Sequence, residues 1–398
     1  MFSAGFRPFF LLAAAWAALA IPVWLCAFAG GPAPPSAFPA LVWHIHEMVF
    51  GFGFAAVAGF LLTAIPNWTG RLPLRGAPLA GLAALWLAGR AAVLCSAYIG
   101  PVAAAIVDLA FPAALIFVVA REIIAGKNWR NAPMVAALAL LGTGSLLVHL
   151  HAMDIAYTAE TGNRLGLAVL LMLIALVGGR IVPSFTRNWL ARQRPNALPA
   201  PGGRLDIAAL ATTFAALAGW IAAPRSPATL VIALLAGITL SLRLARWRGL
   251  ATAREPLLFV LHIGYGWLAL GLLLLGVNGL AGWLPGSAAL HALSVGAVGT
   301  MILAVMTRAT LGHTGQPLTA DRWMVLAFML VSLAAVLRIL SPLAGDEARS
   351  LTVLSGFAWS AAFLTFIGRF APLLLRERAP APASPKETHF VSIPPPAR

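Results

Sequence analysis

Charged residues are scarce in this chain of 398 residues: they make up 10% of the sequence, whereas hydrophobic residues make up 61%. The mean hydropathy of +0.89 is far above that of a water-soluble domain, in which about a quarter of the residues are charged. This composition excludes an ordinary soluble protein and indicates a lipid bilayer as the main solvent.

Cysteine is nearly absent, since the chain contains two, Cys26 and Cys95. Two cysteines exclude a disulfide framework and a zinc site built from thiolates. We interpret both as small hydrophobic residues in the interior.

Acidic residues are also few, 12 against 27 lysines and arginines, which gives a formal net charge of +15. In a soluble protein this excess would suggest a nucleic-acid ligand. Here the basic residues fall in alternate connections between apolar runs, and the positive-inside rule makes those connections cytoplasmic. We therefore expect an inner-membrane protein with both termini in the cytoplasm and no nucleic-acid partner. Five basic residues lie toward the other side: Arg90, Arg164, Arg225, Arg338 and Arg349.

Apolar runs of about twenty residues, separated by charged or Gly/Pro-rich stretches, are typical of membrane-spanning helices. They predict an all-α, polytopic integral membrane protein with about 12 transmembrane helices. The first run is long enough to cross the bilayer and has Arg7 as its one basic flank, so we interpret it as a retained helix instead of a signal peptide. The predicted spans are 9–29, 43–65, 77–97, 101–121, 132–153, 163–185, 205–223, 227–244, 255–277, 287–308, 322–341 and 350–374.

Residues 1–378 are predicted to form a single membrane domain. Within it, the hydrophilic connection 187–204 contains several prolines and glycines and joins two sets of about six helices. The proline-rich stretch 379–398 is predicted to be a disordered cytoplasmic tail.

Five of the eight histidines share one predicted depth, near the outer ends of three spans. A single histidine there could be a satisfied interfacial residue, but polar groups within a bilayer are costly and five at one level are unusual. Neutral imidazole is the commonest metal ligand and the usual axial ligand of haem b. The pattern therefore predicts metal or haem ligands at His44, His46, His149, His151 and His291.

The spacing of these histidines limits what each can bind. Residues two apart on a helix point about 200° away from each other, so His44 and His46 cannot easily share one ion. Each pair either serves two neighbouring centres or combines a ligand with a hydrogen-bonding ring. Glu47 is predicted to share the face of His44, where a carboxylate orients the ring or carries protons.

Three further polar residues are candidates. Arg90 lies at a depth that suits a haem propionate, and an ion pair with Asp108 explains it equally well. Asp108 is a second candidate for proton transfer or for supporting a ligand. His262, nearer the cytoplasmic side, is a further possible haem ligand.

Several runs are long and specific enough for comparison with a known family. They are residues 6–10 (FRPFF), 43–48 (WHIHEM), 59–70 (GFLLTAIPNWTG), 179–189 (GRIVPSFTRNW), 262–265 (HIGY) and 291–313. These runs resemble the NnrS family, and the resemblance covers nearly the whole chain apart from the proline-rich tail.

The resemblance implies a membrane protein that contains haem and copper and is linked to denitrification and to resistance against nitric oxide stress. The positions that match the family are His44, His46, Glu47, His262, His291 and Arg308, with a less distinctive match at His149 and His151. Haem–copper oxidases offer a broader analogy, but a complete centre of that type needs six histidine ligands, and five share the depth here.

The favoured hypothesis is an inner-membrane protein that binds haem b and copper and acts in nitric oxide metabolism or nitrosative stress resistance. Its enzymatic form would be an oxidoreductase that acts on nitric oxide and is supplied by a membrane or periplasmic electron donor. The alternatives are a transporter of two six-helix halves and a haem sensor or assembly factor without turnover.

Overall fold

The computed structural model describes residues 1–193, 198–282 and 285–376. All regular elements within these ranges are helices, and twelve of the helices are long and apolar enough to cross a membrane. The predicted all-α polytopic fold is therefore confirmed. The predicted tail 379–398 lies outside the described residues.

We number the twelve spans α1 to α12 in chain order. Their bounds are Phe6–Phe28, Ala40–Thr69, Ala77–Leu94, Pro101–Ala125, Trp129–Ala152, Ala159–Gln193, Arg204–Ala222, Pro227–Ala245, Pro256–Ala281, Gly286–His313, Arg322–Leu343 and Gly345–Leu375.

The largest difference from the predicted bounds occurs at α6, which continues as a helix to Gln193 and so takes in the first part of the predicted connection 187–204. The apolar run used for the prediction ends where the helix leaves the apolar layer of the membrane. The helix itself ends later, where its backbone hydrogen bonds end. At about 1.5 Å per residue, the 35 residues of α6 exceed the hydrocarbon thickness of about 30 Å.

Successive helices pack beside one another, and α1 packs along α12. The Met1 amine lies 3.4 Å from the Leu375 carbonyl oxygen, and the Arg7 guanidinium donates to the Leu373 carbonyl at 2.8 Å. The start of α1 and the end of α12 are therefore on the same face of the bundle. The most buried spans are α2, α6, α9 and α10.

Three of these inner spans contain a π-helical segment: Glu47–Gly53 in α2, Ile174–Gly178 in α6 and Ala292–Gly299 in α10. A π turn has i→i+5 hydrogen bonds, so it shifts every later residue around the helix axis, and such segments are frequent at functional sites. Two of the segments begin directly after His46 and His291.

Candidate functional site

The outer end of α2 directs two histidines into different surroundings. His46 is fully buried among polar side chains of α3, α4 and α5. His44 is half-buried and lines a cavity together with His291 of α10. The predicted divergence of the two rings is thus observed, with each ring in a separate site.

The first site is a network of polar side chains inside the bundle, and every member is at most 3% exposed. We call it the buried polar cluster: His46, Glu47, Arg90, Asp108, Ser145 and His149.

Arg90 connects the two carboxylates of the cluster. Its Nη1 donates to Glu47 Oε1 at 2.7 Å, and its Nη2 donates to Asp108 Oδ1. The sequence left two partners open for Arg90, a haem propionate and the Asp108 carboxylate. The structure shows the ion pair with Asp108 and a second ion pair with Glu47. An arginine that bridges two buried carboxylates removes most of the cost of burying each charge.

The two imidazoles of the cluster meet at Asp108. His149 Nε2 lies 2.9 Å from Asp108 Oδ2, and the Ser145 hydroxyl donates to the same oxygen at 3.1 Å. His46 Nε2 is 3.1 Å from Ser145 Oγ, and its Nδ1 is 3.0 Å from Glu47 Oε1. Because the Ser145 proton is used toward Asp108, His46 faces acceptors at both ring nitrogens.

This arrangement explains the charge balance of the site. If both carboxyl groups are ionised, the single Arg90 guanidinium leaves one negative charge that a dry interior must neutralise. Because both ring nitrogens of His46 face acceptors, an imidazolium there would supply that positive charge. A metal cation bound between the rings would supply it equally well.

Three groups of the cluster are close enough to ligate one ion, because one ligand atom from each of His46, Asp108 and His149 lies within 4.8 Å of the others. Two imidazoles and a carboxylate suit copper, zinc or iron. His149 Nδ1 is buried and has no hydrogen-bond partner in the described part of the chain. The donor set therefore matches a transition metal.

The second site, the outer cavity, has a volume of about 90 Å³ and lies between α1, α2, α6, α10, α11 and α12. His44 and His291 both line it. His291 Nδ1 donates to the Ser287 carbonyl at 2.6 Å, which leaves the lone pair of Nε2 available for a metal. The His44 ring stacks on Trp24 at 4.4 Å, and its Nδ1 has no partner among the residues described.

Arg338 of α11 also lines the outer cavity. It makes no hydrogen bond or ion pair with any residue that the structure describes. A half-buried guanidinium in the same cavity as two imidazoles favours an anionic ligand, and a carboxylate satisfies its fork of donors best. Imidazoles, aromatic walls from Trp24 and Trp359, and this arginine match the requirements of a haem with its propionates.

Two predicted ligands lie outside both sites. His151 is half-buried in the last turn of α5, where its ring is 6.1 Å from the exposed Tyr157. His262 of α9 donates through Nδ1 to the Leu258 carbonyl at 3.1 Å, and its Nε2 is 3.2 Å from the Thr186 hydroxyl. Both ring nitrogens of His262 therefore have protein partners.

Glu47 was expected on the face of His44, but it contacts His46 and Arg90 instead. The π-helical segment begins at Glu47, so the α-helical spacing from which its face was predicted ends there. Gly51, in the same segment, allows Arg90 and Trp16 to approach the backbone of α2, since a Cβ there would lie 3.0 Å from Arg90 Nη1.

The family model described as NnrS protein matches residues 1–378. This chain belongs to the NnrS family. No curated protein matches it in sequence.

Within this NnrS chain, the run 43–48 supplies residues to both sites. Ser145 was not identified from the sequence. The sequence feature that could have identified Ser145 is its position one helical turn before His149. A small polar residue at that spacing in an apolar helix shares the face of the histidine.

Proposed function

We propose that this NnrS-family protein binds haem b in the outer cavity and copper at the buried polar cluster, and that it acts in nitric oxide metabolism or in resistance to nitrosative stress. The observation that carries the proposal is the division of imidazoles between two neighbouring sites, with His44 and His291 in one and His46 and His149 in the other.

The outer cavity supports haem through its ligands and its charge. His291 is fixed by Ser287 in the tautomer that offers Nε2, and His44 presents a second imidazole to the same space. Arg338 supplies the positive charge that a propionate requires.

The buried polar cluster supports copper through its imidazoles and its uncompensated negative charge. Copper prefers imidazole among the ligand types present here. In this proposal the cation supplies the positive charge between His46, Asp108 and His149, and Arg90 bridges Asp108 and Glu47. Glu47 and Asp108 then orient the histidines or accept the protons that the metal displaces.

Bound haem supplies an iron centre that can take up nitric oxide or pass an electron. The protein residues hold the group, exclude water and compensate its charge. The enzymatic form of the proposal is an oxidoreductase that acts on nitric oxide and draws on a membrane or periplasmic electron donor.

The transporter alternative receives less support from the helices. In that class, spans are unwound near the midplane. The irregular segments here are π-helical turns inside continuous helices of the described chain. A haem sensor or assembly factor without turnover would use the same cofactor sites.

A visible spectrum and a metal analysis of the purified protein test the proposal. We expect Soret and α bands of haem b and copper at a stoichiometric level after growth with adequate copper. Protein that inserts normally in cells replete with haem and copper, yet contains neither, would refute it.

A further inference from the structure

Three cavities follow one another inside the bundle. The outer cavity is the first. The second, the apolar cavity, has a volume of about 100 Å³, and Ala56, Val57, Met134 and Met301 are among the residues that line it. The third, the inner cavity, has a volume of about 360 Å³ and is lined by Asn67, Trp68, Arg308 and His313 at the other ends of α2 and α10.

Neighbouring cavities share walls. Leu170 and Val298 line both the outer and the apolar cavity. Phe10, Phe60, Ile181 and Val305 line both the apolar and the inner cavity. The three spaces therefore form one series that leads from His44 and His291 to the opposite end of the same helices.

The middle of the series has no polar side chain, since every residue that lines the apolar cavity is hydrophobic or glycine. A charged or hydrogen-bonding solute would lose its hydrogen-bond partners there, and an unsatisfied polar group is strongly disfavoured between apolar walls. Cavities with such walls remain dry and accept apolar guests such as xenon. The walls thus select small, uncharged molecules.

Two of the three π-helical segments contribute directly to this space. Ile174, Val177 and Gly178 belong to the segment in α6, and Val298 belongs to the segment in α10. The π-helical segments of these inner helices therefore line the apolar cavity, and two of the three segments also follow a histidine directly.

We infer that the three cavities form a passage through which a small uncharged gas molecule travels from the inner cavity to the outer cavity, where His44 and His291 lie. The inference rests on the proposed function in one respect, namely that the outer cavity holds the haem to which the gas would bind. The passage itself depends on the cavities alone, so its existence can be tested without haem.

Xenon tests the passage directly. In crystals of the wild-type protein under xenon pressure, we expect xenon in the apolar cavity. Absence of xenon there, or a lipid acyl chain that fills the cavity and excludes it, would overturn the inference. This result does not depend on whether haem is bound.

Substitutions at the two junctions test the route. Val298→Phe narrows the junction between the outer and apolar cavities, and Val305→Phe narrows the one between the apolar and inner cavities. Val231→Phe makes the same change on the lipid-facing side of α8, where the valine is 45% exposed. The measurement is the association rate of carbon monoxide with the reduced haem after flash photolysis.

With haem spectra unchanged, we expect both junction variants to slow association at least tenfold and Val231→Phe to leave it unchanged. Wild-type rates in both junction variants would overturn the inference, and so would slowing in Val298→Phe alone, because the gas would then bypass the inner cavity. If the wild-type protein holds no haem, the proposed function fails, whereas the xenon result still decides the passage.

Discussion

His44 and His46 stand two residues apart on α2 and serve two different sites: His44 lines the outer cavity with His291, and His46 lies 3.1 Å from Ser145 in the buried polar cluster. A single short run thus links two sites, and a perturbation of one can be separated from a perturbation of the other.

Removal of the Arg90 charge should destabilise the protein strongly. Arg90→Gln leaves Glu47 and Asp108 buried without their shared cation, and breaking a buried ion pair costs about 3–5 kcal/mol. Arg164→Gln is the control, because it breaks an exposed pair with Glu160 that is worth at most about 1 kcal/mol. Thermal and denaturant unfolding in detergent measure the difference. Equal stability of the two variants would contradict the charge balance described for the cluster.

Gly89 keeps space for Asp108. A Cβ at Gly89 would lie 2.8 Å from Asp108 Oδ1 and 3.1 Å from its Cα, so Gly89→Ala should displace the carboxylate. We expect lower copper content, retained haem and a loss of about 1–3 kcal/mol from overpacking. Gly81→Ala on the same helix has open space around it and should keep both cofactors. Copper and haem analyses check this, and normal copper in Gly89→Ala would place the ion elsewhere.

Arg338 should contribute to haem affinity through its charge. A hydrogen bond to a charged group is worth about 1.5–3 kcal/mol, so Arg338→Leu should weaken haem binding about 10- to 150-fold. Arg338→Lys should restore part of the loss, and Arg225→Leu, which lies outside the outer cavity, should have no effect. Haem titration of protein produced without haem gives the affinities. Wild-type haem affinity in Arg338→Leu would contradict a contact between Arg338 and a haem propionate.

The orientation in the membrane follows from the charges and from the closeness of the two ends. Because Met1 lies beside Leu375, both ends are on one face, and the positive-inside rule predicts that this face is cytoplasmic. Alkaline phosphatase fused after Arg376 should be inactive, whereas a fusion in the connection between α1 and α2 should be active. The reverse pattern would invert the membrane depth of every histidine.

The sequence predicted the twelve spans because the length of an apolar run is set by the thickness of the bilayer, a single physical constraint that acts on each helix alone. The common depth of His44, His46, His149 and His291 follows from the same constraint. Their division between two sites depends on which helices are neighbours, and apolar faces of similar composition do not encode that.

Local irregularity explains the errors that remain. The face of Glu47 was derived from an α-helical repeat, and the π-helical segment that begins there changes the repeat. His151 shares the depth of His149 but points toward Tyr157, since residues two apart on α5 diverge and one of the two faces away from the bundle. Depth could be predicted from the sequence, whereas direction required the packed bundle.

The most direct test of the account is the haem and copper content of two double variants, each measured per mole of inserted protein. His44→Ala/His291→Ala should lose haem and keep copper, because it removes the imidazoles of the outer cavity and leaves the buried polar cluster complete. His46→Ala/His149→Ala should lose copper and keep haem, and His151→Ala, at the same level but outside both sites, should keep both. Retention of haem by His44→Ala/His291→Ala, or loss of the same cofactor in both double variants, would contradict the assignment of two separate sites.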